Sequence, residues 1–468
     1  MTIKGGITVE DATVEAFRGT VRGPVLRPGD EGYDAARRVW NGMIDRYPAF
    51  IVRCTGVADV MNSVAFAREN ELLIAVRGGG HSVAGNGTCD GGIVIDLSPM
   101  KVIRIDPTNH VARAQGGATW GDLDHESQQF GLAVTGGLVS STGIAGLTLG
   151  GGQGWLVRKL GLASDNLLAA DVVTADGRSV RASEDENPDL FWGIRGGGGN
   201  FGIVTSFEYR LHSIGPTVLG GPIFYAIEDA GALLRFFRDY MADAPPELGA
   251  LCAFLTAPAE PFLPEQVHGR VVAAVIACYP GDLTRGEEIL RPLRTFKHPL
   301  ADLVGPVPYE ALQGSFDAGH PHGQRNYWKS SYVNHLSDSL IETTIAHAAR
   351  MPSPMTTAYF LRLEGAISRL PEDHTAYSHR EAGYDFNILT KWVDPEEDGR
   401  QIAWTRAFWE AIQPFAAHSV YVNNLGEEGS DRVREAYTPT KWARLAALKN
   451  SYDPSNVFRL NQNISPNP

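Results

Sequence analysis

The run Arg77-Gly78-Gly79-Gly80-His81-Ser82 sets an imidazole at the end of three residues without side chains. Bare backbone of this kind either turns sharply or offers its N–H groups to a ligand laid against it. The histidine can donate or accept hydrogen bonds and can act as a nucleophile at close range. Two more glycine-rich segments repeat the theme. One spans 136–155, with Thr142, Gly143, Ala145 and Gly146 in it and further glycines to Gly154; the other is Arg195-Gly196-Gly197-Gly198-Gly199-Asn200-Phe201-Gly202-Ile203-Val204. The tail at 452–464 carries Asn461, Gln462 and Asn463, amides suited to gripping a heterocycle or a backbone edge. Glycine makes up 52 of 468 residues and concentrates in the first two of these segments. Interleaved with apolar strands, that pattern asks for a large ligand, since a flexible linker would be rich in serine and charge.

Two places further along offer acid–base chemistry. Alternation over 359–364 puts Phe360, Arg362 and Glu364 on one face of a strand and Tyr359, Leu361 and Leu363 on the other. The Arg–Glu pair either lines a pocket or forms an ordinary ion pair. Tyr421-Val422-Asn423-Asn424 offers a phenol and two amides, with Tyr421 either a proton acceptor or a core aromatic. Asn424 does not titrate and cannot be a general base. His320 and His322 are too few for a metal site and read as loop residues. His379-Arg380 either lines a pocket or buries an aliphatic stem.

The elements that hold these residues follow from periodicity. A strand at 49–54, a helix with Val57, Val60, Val64 and Ala67 on one side, and a strand at 72–76 form a βαβ unit, with Thr55 as the expected helix cap. Its second strand delivers the first glycine loop at its carboxyl end, where α/β sheets commonly bind ligands. Strands follow at 93–97, 102–106, 110–115 and 168–174, with a helix at 120–130. Gly197, Gly199 and Gly202 match G-x-G-x-x-G, but the alternating 203–211 after them is a strand, so a Rossmann site is rejected; no P-loop motif occurs. From 217 to 417, strands (218–227, 248–255, 270–278, 357–367, 386–392) alternate with helices (229–241, 283–296, 337–349, 401–416), as in an antiparallel sheet covered by helices on one face. A last helix at 439–452 ends at Asp453-Pro454.

Composition bounds the rest. A chain of 468 residues with 43% hydrophobic and 20% charged residues is ordinary for a globular protein of two or three domains. The formal net charge of −13 argues against a nucleic-acid partner. The sequence lacks an apolar run long enough to span a membrane, and its first residues lack one of signal-peptide length. Cys54, Cys89, Cys252 and Cys278 are scattered, without zinc-site or disulfide-framework spacing. The expectation is a cytoplasmic, reduced protein.

Taken together, R-G-G-G-H-S at 77–82, L-F-W-G-I-R-G-G-G-G-N-F-G-I-V at 190–204 and Y-D-P-S-N-V-F-R-L-N-Q-N-I at 452–464 resemble the berberine-bridge-enzyme-like FAD-linked oxidases. These belong to the vanillyl-alcohol-oxidase / p-cresol-methylhydroxylase (PCMH)-type flavoprotein superfamily, and the bacterial hydroxynicotine oxidases are among the more similar members. The resemblance is strongest over 46–212 and 418–464. It implies an α+β fold: a two-lobed PCMH-type FAD-binding domain at 1–212, an antiparallel-sheet substrate domain covered by helices at 213–424, and a segment at 425–468 returning to the FAD-binding domain.

It further implies FAD bound covalently through a ring nitrogen of His81 to the flavin 8-methyl carbon. Arg77, Gly78, Gly79, Gly80, Ser82 and Gly85 would wrap the pyrophosphate. Other cofactor contacts would fall on Gly137, Ser141, Thr142, Gly143, Gly146, Gly150, Gly154, Trp155, Asp165, Gly202, Ile203, Val204, Asn423, Asn461 and Gln462. Val139 stands where many relatives carry a second, cysteinyl tether, so a single link is expected. Thr142 stands at the position that gates oxygen, and its size favours oxygen access. Gln153 and Asn424 stand where relatives carry tyrosines. The base would then be Glu364 or Tyr421, with Arg362 beside the pocket and Asn424 positioning substrate, or the substrate is an amine that needs no strong base. The implied reaction passes hydride from a C–H next to O or N of a small alcohol, amine or sugar to flavin N5, and O2 reoxidises the flavin to give H2O2. The alternatives are a dehydrogenase with another acceptor and a catalytically silent flavin-binding protein. The implied partners are a small molecule and O2, without nucleic acid or membrane.

Overall fold

The computed structural model describes residues 9–466; residues 1–8, counted above with the first domain, and 467–468 lie outside the described residues. Three sheets of more than two strands organise the described chain. The first has four strands in the order Val25–Leu26, Phe50–Arg53, Ile93–Asp96, Ile74–Arg77, the last three mutually parallel. Helix Val57–Glu69 makes the crossover, burying Val60, Val64 and Ala67 as its spacing requires. Strand Ile93–Asp96 inserts between the two strands of the βαβ unit, a placement that local periodicity does not reveal. The helix starts after Gly56 and not at a Thr55 cap: the Thr55 hydroxyl instead donates to Asp59, whose carboxylate also accepts from the backbone N–H groups of Arg22 and Gly23.

The second sheet is antiparallel, in the order Ile103–Asp106, Val111–Gln115, Ile203–Arg210, Leu167–Val173, Ser179–Ser183. The strand character of Ile203–Arg210 settles the question of the G-x-G-x-x-G motif: no helix follows it. Helix Trp120–Gln128 is set by a capping box between Thr119 and Asp122.

The third sheet is antiparallel, in the order Ala301–Asp302, Thr217–Ala226, Val271–Tyr279, Gly249–Thr256, Thr357–Arg362, Tyr384–Trp392, Arg325–Val333, with Gly305–Pro308 also paired to Thr217–Ala226. Helices Ala230–Asp243, Leu283–Arg294, Asp338–Ala348 and Asp398–Ile412 cover one face. In the first of these, Ala230, Leu233, Leu234, Phe237 and Met241 form the buried stripe. Alternation divides the strands cleanly. Cys252, Phe254, Ala358, Phe360, Phe386 and Ile388 pack under the helices, and Leu251, Ala253, Tyr359, Leu361 and Asp385 turn to the other side. The sequence reading omitted strand Arg325–Val333 and extended 357–367 too far. The strand stops at Arg362 because Glu364 (φ 66°) and Gly365 (φ 74°) take left-handed backbone and redirect the chain into helix Ala366–Arg369.

The tail is fixed by one buried ion pair. In helix Pro439–Tyr452, capped by Thr438, the Lys449 ammonium donates to Asp453 Oδ2 (2.7 Å) and to the carbonyls of Asn200 (2.8 Å) and Phe458 (2.9 Å). Asp453 accepts in turn from the N–H groups of Val457 and Phe458. Both side chains have 0% exposure. Removing one partner strands a buried charge, so Lys449→Met is expected to cost about 3–5 kcal/mol, read as a lower urea midpoint with an unchanged slope.

Candidate active site

A cavity of about 720 Å³ lies between the glycine-rich segments and the uncovered face of the large sheet. Sites for small molecules and cofactors span roughly 300–1,000 Å³. The first loop lines it through Arg77, Gly78, Gly79, Gly80, His81 and Ser82. Gly137, Thr142, Gly143 and Gly146 come from the second segment, and Gly202, Ile203 and Val204 follow the third glycine run. Tyr421, Asn423, Asn424, Asn461 and Gln462 complete it from the C-terminal part of the chain. The first two segments meet backbone to backbone: a Cβ on Gly79 would sit 2.4 Å from the Gly143 nitrogen. Only glycine allows that approach. Arg77 lines the cavity, but its guanidinium is consumed by buried Asp96 (2.7 and 3.1 Å) and by the Ala36 carbonyl, so it braces the loop.

Six of the expected cofactor contacts stay off the wall. Ser141 meets the site only through His81, its hydroxyl 2.9 Å from Nε2. Gly85, Gly150 and Gly154 lie behind it, where a Cβ would strike Ile44, Asn423 and the Gly136 carbonyl. Trp155 is buried against Phe316. Asp165 is closed in a buried two-pronged pair with Arg380 (2.6 and 3.0 Å), which also removes Arg380 from the pocket. Arg362 and Glu364 are off the wall too. The strand turns Thr357, Tyr359 and Leu361 to the cavity. Arg362 lies over the Tyr384 ring and bonds the Gly383 carbonyl and Glu364, whose side chain is 43% exposed. A base at Glu364 is therefore corrected.

His81 stacks on Trp40 with ring centres 5.1 Å apart and meets His322 edge-on at 5.5 Å. Burial, with lesser contributions from His322 and His320, pushes its pKa down to about 3. The imidazole is thus neutral at working pH and keeps a lone pair on one nitrogen. His320 is no mere loop residue: it lines the cavity, and its Nε2 lies 3.3 Å from the Lys391 ammonium.

The other half of the site was missed by sequence reasoning. Asp385 is 2% exposed and lines the cavity. It accepts from Ser330 Oγ (3.0 Å) and Asn424 Nδ2 (2.9 Å). Burial outweighs these bonds and lifts its pKa to about 7. Asn424 also donates to Asn387 Oδ1 (2.8 Å), so its amide orients the carboxylate. Tyr421 accepts from the Gly152 N–H (2.8 Å) and Asn423 Nδ2 (2.7 Å), and burial raises its pKa, which keeps the phenol protonated near neutrality. The signal was present in Tyr384-Asp385-Phe386-Asn387-Ile388, a polar–apolar alternation whose polar face had to meet something polar. Starting that strand at Phe386 hid it.

This geometry has clear counterparts. A family profile described as an FAD binding domain matches residues 48–183, and one described as berberine and berberine like matches 420–465. The chain belongs to the berberine-bridge-enzyme-like family of FAD-linked oxidoreductases, with the α+β fold of PCMH-type flavoproteins. It is 32% identical to (R)-6-hydroxynicotine oxidase of Paenarthrobacter nicotinovorans over 96% of this chain and 97% of that one. A FAD-linked oxidoreductase of Dictyostelium discoideum is 30% identical over 97% of each. The crystal structure of 6-hydroxy-D-nicotine oxidase from Arthrobacter nicotinovorans superposes with a TM-score of 0.86 at 31% identity, covering 95% of this chain and 98% of that one.

The residues present fit FAD. A Cβ on Gly146 or Gly199, both on the wall, would meet nothing within 4 Å, so a smooth backbone surface faces the cavity. Two buried acceptors, Gln153 Oε1 and Asn461 Oδ1, have no protein partner and are left for donors on a ligand. Gln153 spends its amide nitrogen on the hydroxyls of Tyr332 (3.2 Å) and Tyr377 (3.0 Å). Among the described residues no group of three or more side chains could hold a metal ion, and no helix is long and apolar enough to cross a membrane.

Proposed function

We propose that the protein is an FAD-linked oxidase of a small organic alcohol, amine or sugar. FAD, when bound, supplies the redox chemistry, taking hydride from a C–H next to O or N and passing the electrons to O2 to give H2O2. The observation that carries the reading is Asp385. A nearly fully buried carboxyl with a pKa near 7 on a cavity wall is matched to taking a proton at neutral pH. It would accept the proton of the substrate's O–H or N–H group as the neighbouring C–H is oxidised. Asn424 and Ser330 hold its oxygens in place. Tyr359, on the same wall and kept protonated by burial, would donate to the substrate heteroatom. The apolar side chains Leu251, Ala253, Leu361 and Leu389 would exclude water from the reacting group.

We assign the covalent attachment to His81 alone. Its neutral ring is nucleophilic without a base, whereas the four cysteines are buried, free and absent from the cavity wall. Those unpaired thiols also favour a reducing, cytoplasmic location. In this reading the cofactor belongs to residues up to 212 and from 425 onward, and the substrate to 213–424.

The test is a screen of purified protein against alcohols, amines and oligosaccharides. A substrate is expected to bleach the flavin spectrum without air and, in air, to yield peroxide in step with its own loss. Slow reoxidation in air would replace the oxidase with a dehydrogenase. Absence of bleaching by every compound would leave a silent flavin-binding protein.

A further inference from the structure

Lys391 is 3% exposed and lines the cavity, yet no carboxylate pairs with it among the described residues. Its ammonium donates to the Gly319 carbonyl (2.6 Å) and to His320 Nε2 (3.3 Å). The His320 ring keeps its other nitrogen 2.8 Å from the Phe316 carbonyl, an acceptor only. That fixes the proton on Nδ1 and leaves Nε2 as a lone pair toward the lysine. Neither partner carries a negative charge, and an ammonium has a third proton to give. A buried cation without a counter-ion is costly unless something in use supplies one. In a chain of net charge −13, acidic partners were abundant and none was placed here.

Lys391 and Asp385 lie on the same strand, six residues apart and on the same face. At about 3.3 Å per residue they are separated by roughly 20 Å of backbone. Leu389 lies between them, and Leu255, Thr357 and Leu361 of the neighbouring strands line the same wall. The cavity is therefore polarised, with a proton acceptor and the Tyr359 hydroxyl toward one end, Leu255 and Leu389 between, and a cation at the other end.

We propose that Lys391 is the receptor for a carboxylate on the substrate, so that the oxidised molecule is an elongated organic acid with an apolar body and its alcohol or amine at the far end. The assignment of that far end rests on the oxidase reading above. Burial brings the Lys391 pKa down to about 8, so the group is still mostly protonated at neutral pH, and a bound carboxylate would hold it so.

Calorimetric titration of the flavin-loaded protein with phenylbutyrate, phenylhexanoate and phenyloctanoate, each beside its primary amide, tests the site without turnover. At least one acid is expected to bind about tenfold more tightly than its amide. Lys391→Met should abolish that preference and Lys391→Arg retain part of it. Equal binding of every acid and its amide to the wild type, or no binding of any acid, overturns the proposal whether or not the variants fold. So does a preference that survives in Lys391→Met. The two readings fail separately. Acid preference without flavin bleaching by any substrate would sink the oxidase alone, and turnover of a neutral substrate with equal acid and amide binding would sink the carboxylate site alone.

Discussion

His81→Ala protein, precipitated in acid, is expected to leave its flavin in the supernatant, while the wild-type precipitate stays yellow. The substitution removes a cavity-wall imidazole that is neutral at working pH; the other, His320, has its lone pair engaged by the Lys391 ammonium. It leaves the cradle intact: Gly79 still packs on Gly143, and Gln153 and Asn461 still offer their acceptors. Flavin should therefore still bind, reversibly, and dialysis or denaturation should release all of it. Ser141→Ala is the milder companion, because Ser141 holds the ring through Nε2 and does not itself reach the wall. Colour retained in the precipitated His81→Ala chain would move the attachment elsewhere.

Asp385→Asn is expected to lower kcat by roughly 10²–10⁴-fold, the usual contribution of a positioned general base. The change preserves shape: the new amide oxygen can still accept from Asn424, and the Ser330 hydroxyl can turn to accept from the new amide nitrogen, so flavin content and unfolding midpoint should stay near wild type. The pH profile is the sharper readout. A base works only when deprotonated, and burial has raised this carboxyl to about 7. Wild-type kcat/KM should therefore climb as pH rises through about 7 and fall below it. In Asp385→Asn that limb should vanish, leaving a low, flat rate. Unchanged turnover with the limb still in place would remove Asp385 from the reaction.

Much of the cofactor side was legible because backbone constraints leave a mark on residue type. Gly79 must be glycine where it touches Gly143, and three such runs in one chain point to a shared ligand. The substrate side was harder for a definite reason. A strand shows which residues share a face, but which face meets the cavity depends on where the helices pack. For Thr357–Arg362 the helices took Ala358 and Phe360, so Tyr359 and Leu361 turned inward and Arg362 did not. Glu364 was lost to a left-handed turn that an alternating pattern cannot announce. Asp165 and Arg380, far apart in sequence, looked like pocket residues and proved to be each other's partner. The proton acceptor escaped because its strand was begun two residues late.

The pinned tail has a consequence for the order of events in making the protein. Chains fold as they emerge during synthesis, earlier segments first. The loop around His81 and the sheets that flank it are in place long before Asn461 and Gln462 exist. Until Lys449 and Asp453 take hold of Asn200, Val457 and Phe458, the cavity is without the Asn461 and Gln462 part of its wall. The cofactor cradle is thus completed only once the last residues have emerged, and the buried ion pair is the latch that closes it.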